Sequence, residues 1–297
     1  MAELEFTAKI ATRVPDRLPV FAMKRPVANR RVLIELAASL GLPPFSKGSE
    51  LTSRDAWLSL QDGPYVLAMN SRSGAFKFLD RRAWNVTADT RFAYKDEEAV
   101  DIARDAVRRA RLVAEWRSKL TLGGVTHLRM QGGPPGGKLQ PETLLDAGVV
   151  FRRQIEGVPV TGPGGILAVN ISPQGSVVGV TRLWRELGRQ VGRVKVVRAQ
   201  EALARVRAAY LRRDMIGEVR VTRAEFGYFE AGPALAQGFI EPCYAFIIES
   251  VGPSGANRAG LRMKTVEVVP AVEKPRQRWP MRVDPVSPPT TNRVAAA

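Results

Sequence analysis

Apolar positions along this chain switch period repeatedly, and each switch marks a helix giving way to strands. Val32, Leu33, Leu36, Ala37 and Leu40 share one face at helical spacing, which predicts a helix over 30–40. Asn29 is placed to cap it and Gly41 to end it. A second helix is predicted over 96–116, where Val100, Ala103, Val107, Ala110 and Ala114 recur at threes and fours. Asp96, Glu97 and Glu98 crowd its first turn, where the helix dipole favours carboxylates. A third is predicted over 199–211, with Ala199, Leu203, Val206 and Tyr210 as its stripe.

Between the helices the period drops to two. Strands are predicted at 56–60, 65–70 and 75–80 after the first helix. After the second they fall at 126–131, 148–154, 165–171 and 176–183, and after the third at 218–229, 240–249 and 261–269. Ser172-Pro173-Gln174-Gly175 has Pro second and Gly fourth, the pattern of a β-turn, and predicts a hairpin. Gly132–Gly137 and Val251–Ala259 read as loops. This order predicts an α+β fold of repeated helix-plus-antiparallel-sheet units rather than a doubly wound parallel sheet. The expected divisions are an N-terminal α+β unit over 1–90, a second unit over 91–192 and a third over 193–269. A Pro-rich tail over 270–297 reads as extended or disordered unless it docks.

With 297 residues and 45% hydrophobic content the chain can bury a sizeable core. Charge is the outlying quantity: Lys plus Arg is 45 against 29 Asp plus Glu, a formal +16, and ten of the basic residues are lysine. Such a surplus favours an acidic partner, whether nucleic acid, anionic lipid or an acidic protein face. The arginines are scattered and interleaved with acids, as in Glu115-Trp116-Arg117, so a generally basic solvated surface stays open beside a nucleic-acid footprint. No stretch approaches the roughly 20 apolar residues of a membrane helix. The first six residues carry neither the basic nor the apolar region of a leader, so the chain is expected to be soluble. Its compartment is left open, cytoplasmic or exported after removal of a leader.

Candidate chemistry is sparse. A single histidine, His127, rules out a His-Glu-x-x-His zinc site and any multi-histidine metal site. The single cysteine, Cys243, rules out an internal disulfide and sits in an apolar strand, where a buried thiol is expected. Gly162-Pro163-Gly164-Gly165 and Gly132–Gly137 lack the Lys-Ser/Thr of a phosphate loop. No catalytic, cofactor or metal residue is therefore assigned. Arg276, Arg278, Trp279 and Arg282 form the candidate partner-docking group, because a Trp among arginines in a Pro-rich segment suits docking on another subunit or stacking on a base.

The stretch Val150–Trp184 brings a family into view. Phe151-Arg152, then Gly157-Val158-Pro159-Val160, Gly164-Gly165 and a hairpin turning at Gly175 resemble the PepSY and thermolysin-propeptide (FTP) superfamily. Glu98-Ala99 with Ile102-Ala103, and His127-Leu128-Arg129, are similar to the helix and strand that open such units. Phe226-Gly227-Tyr228-Phe229 and Glu241–Phe246 resemble the closing strands of multi-unit relatives such as the YycH/YycI regulators of sensor kinases. Gly157, Pro159, Gly164 and Gly165 are then the structural corner: glycine turns, proline fixes φ, and valine re-enters the sheet. The resemblance implies a non-catalytic protein that binds, regulates or helps assemble a partner protein, or self-assembles. The alternative carried by the charge is a basic nucleic-acid-associated structural protein. An enzyme built on carboxylate pairs would need two facing acids in a deep pocket.

Overall fold

The computed structural model describes residues 3–6, 14–84, 90–113, 117–211, 218–251, 262–277 and 282–283. Its strands are β1 (Glu3–Phe6), β2 (Arg17–Met23), β3 (Glu50–Arg54), β4 (Trp57–Asp62), β5 (Tyr65–Asn70), β6 (Phe76–Asp80), β7 (Ser118–Met130), β8 (Thr143–Ile155), β9 (Val158–Thr161), β10 (Ile166–Ile171), β11 (Val177–Leu183), β12 (Leu187–Lys195), β13 (Glu218–Phe229), β14 (Phe239–Ile240), β15 (Pro242–Val251), β16 (Arg262–Pro270) and β17 (Arg282–Val283). Its helices are α1 (Arg30–Ser39), α2 (Asp96–Arg109) and α3 (Ala199–Leu211). The fold is mixed α+β and strand-rich, with antiparallel sheets as the strand order predicts.

One long sheet runs β17-β16-β15-β13-β9-β8-β10-β11-β6-β5-β4-β3, with β1 beside β13 and β7 beside β8. A small sheet, β12-β2-β14, stands apart from it. Pairing is antiparallel except where β1 and β9 lie parallel to β13. Hydrogen-bonded ladders cross the expected divisions: β6 pairs with β11 across residue 90, and β9 pairs with β13 across residue 192.

Two cores follow from which residues face inward. Leu60, Leu67, Phe78, Val180, Val169 and Val149 stand opposite one another from strand to strand and form one apolar row. Leu33 and Ala37 of α1, and Ala99, Ala103 and Ala106 of α2, close over that row. Small residues on α2 let its backbone approach the sheet closely. On the other half, Ala202 and Val206 of α3 and Leu18 and Phe21 of β2 cover Tyr228, Tyr244, Phe246 and Ile248.

Helix ends explain one departure from expectation. At α1 the Asn29 side chain accepts from the Val32 N–H at 2.9 Å, and Gly41 takes φ +74. Leu42 N–H then reaches Ala37 O at 3.0 Å and Gly41 N–H reaches Ala38 O at 3.0 Å, closing a Schellman motif. The same closure stops α2 at Arg109, seven residues before the expected end. Leu112 N–H bonds Val107 O at 3.1 Å, Arg111 N–H bonds Arg108 O at 3.2 Å, and Arg111 adopts φ +49. Leu112 is thereby turned back into the core, where it is 2% exposed. Burying Leu112 outweighs the cost of a left-handed arginine.

The two cores meet at β9, a four-residue strand with a different neighbour on each side. Glu156 (φ +49) and Gly157 (φ +81) make the tight turn from β8, so that Ile155 faces Val158 and Gln154 faces Pro159. On its other side, Val160 and Thr161 run beside Tyr228 and Phe229 of β13. A Cβ on Gly227 would stand 2.5 Å from Pro159 O, and one on Gly164 would stand 2.5 Å from Glu230 Cγ. Glycine is therefore required by close approach as well as by turning. Gly165 abuts Val160 in the same way.

Glu230, immediately after β13, is fully buried at this join between Arg153 of β8 and Arg185. Its Oε2 accepts from Arg153 Nη1 at 3.3 Å, its Oε1 accepts from the Arg185 N–H, and Arg185 Nη1 stands 3.9 Å from Oε1. The guanidinium groups also donate elsewhere. Arg153 Nε donates to Ser118 Oγ at 3.0 Å and Arg153 Nη1 to Arg185 O at 2.9 Å. Arg185 Nη1 donates to Ala231 O at 2.9 Å, while Arg185 Nη2 donates to Gly232 O at 3.1 Å and to Leu235 O. Trp184 covers the cluster, with the Arg153 guanidinium 5.4 Å from its ring centre. Burial pushes the Glu230 carboxyl up, to about 6, against the pull of Arg153 and Arg185.

The buried cluster and the end of α2 give three predictions. Glu230→Ala leaves two buried guanidinium groups short of a counter-charge and costs about 3–5 kcal/mol in denaturant unfolding. A loss below about 1 kcal/mol, the scale of an exposed pair, would refute the assignment. Because the Glu230 pKa is raised from 4.5 to about 6, the folded state binds this proton more readily than the unfolded chain. Its contribution to stability therefore falls as pH rises between those values and is flat above them, and Glu230→Gln removes that slope. For α2, Arg111→Gly relieves the left-handed backbone and stabilises by about 0.5–1 kcal/mol after glycine's larger unfolded-state entropy is counted. A destabilisation in the same unfolding measurement would contradict it.

Candidate functional site

β7 and β8, each thirteen residues long, form the longest pairing among the described residues. β8 is sheltered on both sides, by β7 along its length and by β10 and β9 opposite. β7 is not: among the described residues, β8 is its only strand partner. Among the described residues, no strand pairs with the outer backbone edge of β7 from Lys119 to Met130, so that edge offers amide and carbonyl groups to an incoming strand.

Lys119 and Arg129 give this edge some of the charge that normally guards one, yet apolar side chains are exposed between and beside them. Leu122 is 48% exposed, Leu128 43% and Met130 49%. Gly123 is an extra residue between Leu122, opposite Phe151, and Gly124, opposite Val150, a bulge that moves the following residues to new faces of the sheet. Beyond Met130 the Gly-Pro loop is exposed throughout yet tied down: Gln140 N–H bonds Gly132 O at 2.7 Å, and Arg129 pairs with Glu142 at 3.0 Å. Leu139 projects from this loop at 63% exposure.

Beside β7 lies a groove of about 610 Å³. Val107, Val113, Leu120 and Phe151 line its apolar part, and Arg104, Arg108 and Arg111 of the α2 region line its basic part. Residues 104, 107 and 108 share a face of α2 because they are three and four apart, and Arg111 joins them from the turn that ends the helix. A second concavity of about 890 Å³ opens at the start of α3 and mixes Arg17, Lys195 and Arg198 with Asp16, Glu201 and Glu273. That balance of charge selects no ligand sign.

The residues singled out from sequence are scattered relative to this edge. Arg276 docks within its own chain: its N–H donates to both Glu241 carboxylate oxygens at 3.1 and 3.2 Å, and its guanidinium lies 6.0 Å from the Phe239 ring centre. Residues 270–277 are accordingly docked rather than free, with Arg205 Nη1 donating to Pro270 O at 3.2 Å and Val272 O at 3.0 Å. Arg278 and Trp279 lie outside the described residues, and Arg282 pairs through its backbone with Glu267. Gly157, Pro159, Gly164 and Gly165 occupy the corner at β9, remote in sequence from the docking group.

His127 pairs with Asp96 at 3.2 Å and stacks edge-on to Phe92, which ties β7 to the start of α2. Cys243 is fully buried with Phe229, Ala245 and Val268, and burial holds its thiol well above its ordinary range. Sequence reasoning missed Arg153, Arg185 and Glu230. One signal was available: Arg153 holds an inward position in the alternation Val149, Phe151, Arg153, Ile155.

No protein-family profile matches the chain, and no curated protein matches it significantly. Among solved structures it is similar to the crystal structure of an uncharacterized protein from Eubacterium rectale. The TM-score is 0.50 at 12% sequence identity, covering 94% of this chain and 90% of that one. At this identity the likeness is one of fold alone.

Proposed function

We propose that this chain is a non-catalytic, PepSY-like protein that binds a partner protein, regulating it or helping it assemble, and that the partner adds to the edge of β7. The observation that carries the reading is that, among the described residues, no strand pairs with the outer edge of β7 from Lys119 to Met130, which bears exposed Leu122, Leu128 and Met130. Strand addition supplies affinity through main-chain hydrogen bonds and specificity through pockets for alternate side chains. The order of elements also supports the reading, since each helix is followed by antiparallel strands, as the resemblance in Val150–Trp184 implies. The first two helices close the same face of the long sheet.

Pairing of β7 with a second copy of itself is disfavoured by charge. Two chains of formal +16 would bring their α2 arginines together. A different, oppositely charged protein relieves that repulsion.

The test is affinity capture on the full chain with matched surface variants. The wild type and Val27→Lys, which alters an exposed apolar residue away from β7, are expected to retain the same protein. Leu122→Lys combined with Leu128→Lys is expected to lower its recovery about ten-fold while changing stability by less than about 1 kcal/mol. Equal recovery on the double variant, or no protein specific to the wild type, would overturn the reading.

A further inference from the structure

We infer that the segment added to β7 is acidic, with an apolar side chain anchored in the groove between α2 and β7; this rests on the reading of β7 as the binding edge. A strand laid outside β7 sends alternate side chains to the α2 side of the sheet. There they meet Val107, Val113, Leu120 and Phe151, in a space of about 610 Å³ that admits leucine- or phenylalanine-sized groups. Flanking side chains of the same strand meet Arg104, Arg108 and Arg111.

These arginines are available to a partner. Among the described residues, Arg104 and Arg108 are held by exposed ion pairs one turn away, to Asp101 at 3.3 Å and Asp105 at 2.8 Å. Exposed pairs of this kind contribute only about 0.3–0.5 kcal/mol each and exchange readily for a better-placed carboxylate. Arg111 has no carboxylate partner among the described residues, and its left-handed backbone sets it off the end of α2 beside Val113. Three guanidinium groups around an apolar floor match a segment that alternates carboxylates with bulky apolar residues.

The same geometry disfavours nucleic acid. Phosphates would suit the arginines, but the bases would rest on valine and leucine, and the only aromatic ring in the groove, Phe151, is 3% exposed. Stacking of bases needs an open aromatic face.

The experiment is fluorescence anisotropy on the full-length protein with a labelled peptide of about ten residues, long enough to span a strand, alternating Glu with Leu and Phe. Comparison peptides replace Glu by Gln or by Lys, and a single-stranded DNA of about 20 nucleotides serves as the polyanion control. The acidic peptide is expected to bind, the Gln peptide about ten-fold more weakly, and the Lys peptide not at all. Arg104→Glu with Arg111→Glu is expected to weaken the acidic peptide by at least about ten-fold. Arg104→Gln with Arg111→Gln keeps the test open should the reversal fail to fold.

Equal binding of the Glu and Gln peptides, or unchanged binding by both double variants, would overturn the inference. So would DNA that binds more tightly than the peptide and is lost with the same arginines. If the acidic peptide fails to bind while the β7 leucine variant still loses its captured partner, the acidic character is refuted and the β7 edge stands.

Discussion

The whole molecule depends on one requirement: a sheet that belongs to two cores must pass through a strand only four residues long. β9 is held to β8 by a tight turn and to β13 by a short parallel pairing. Few hydrogen bonds span the join, so its strength comes from what surrounds it. The backbone of Glu230 is tied to the loop after β9 through Glu230 N–H to Thr161 O at 2.9 Å and Gly164 N–H to Glu230 O at 3.0 Å. Its side chain then reaches Arg153 in one half and Arg185 at the boundary. A fully buried carboxylate is tolerated only because both of its oxygens are matched, and matching them fixes the spacing of three separate segments.

That requirement explains the glycines around β9 better than turning alone. Several of them leave room for Pro159, Val160 and Glu230 to approach other backbone closely. It also explains the uneven legibility of the sequence. Strands over Tyr65–Asn70 and Glu218–Phe229 are visible from alternation because one face of each meets a core. β2 and β12 are not, since β2 carries Pro19 and β12 carries Gly188, Gly192 and three exposed charges. Pro19 is accommodated because β14 pairs only with Phe21 and Ala22. The end of α2 was hidden for another reason: apolar spacing continues to Ala114, and only the burial of Leu112 turns the chain at Arg111.

The candidate binding edge was half legible. Residues 126–131 alternate visibly, but the full length of β7 depends on β8 beside it and on the bulge at Gly123. Exposure of Leu122 and Leu128 cannot be read from one sequence, since the same alternation describes a covered strand. The arginines of α2 were visible as charge, yet their position over an apolar groove emerges only when α2 is packed on the sheet beside β8. The corner and the edge are linked through β8. Arg153 and Phe151 share one of its faces, so the join that unites the cores also positions the floor of the groove.

The central claim is that the buried Arg153–Glu230–Arg185 cluster makes the two halves a single cooperative body. Hydrogen exchange followed by mass spectrometry under mild denaturant tests it directly, by comparing amides of α2 with amides of α3 and β15. The account predicts that both sets open together, with one free energy and one dependence on denaturant. Exchange of the α3 half while α2 stays protected, or the reverse, would show that the halves open independently and would contradict it.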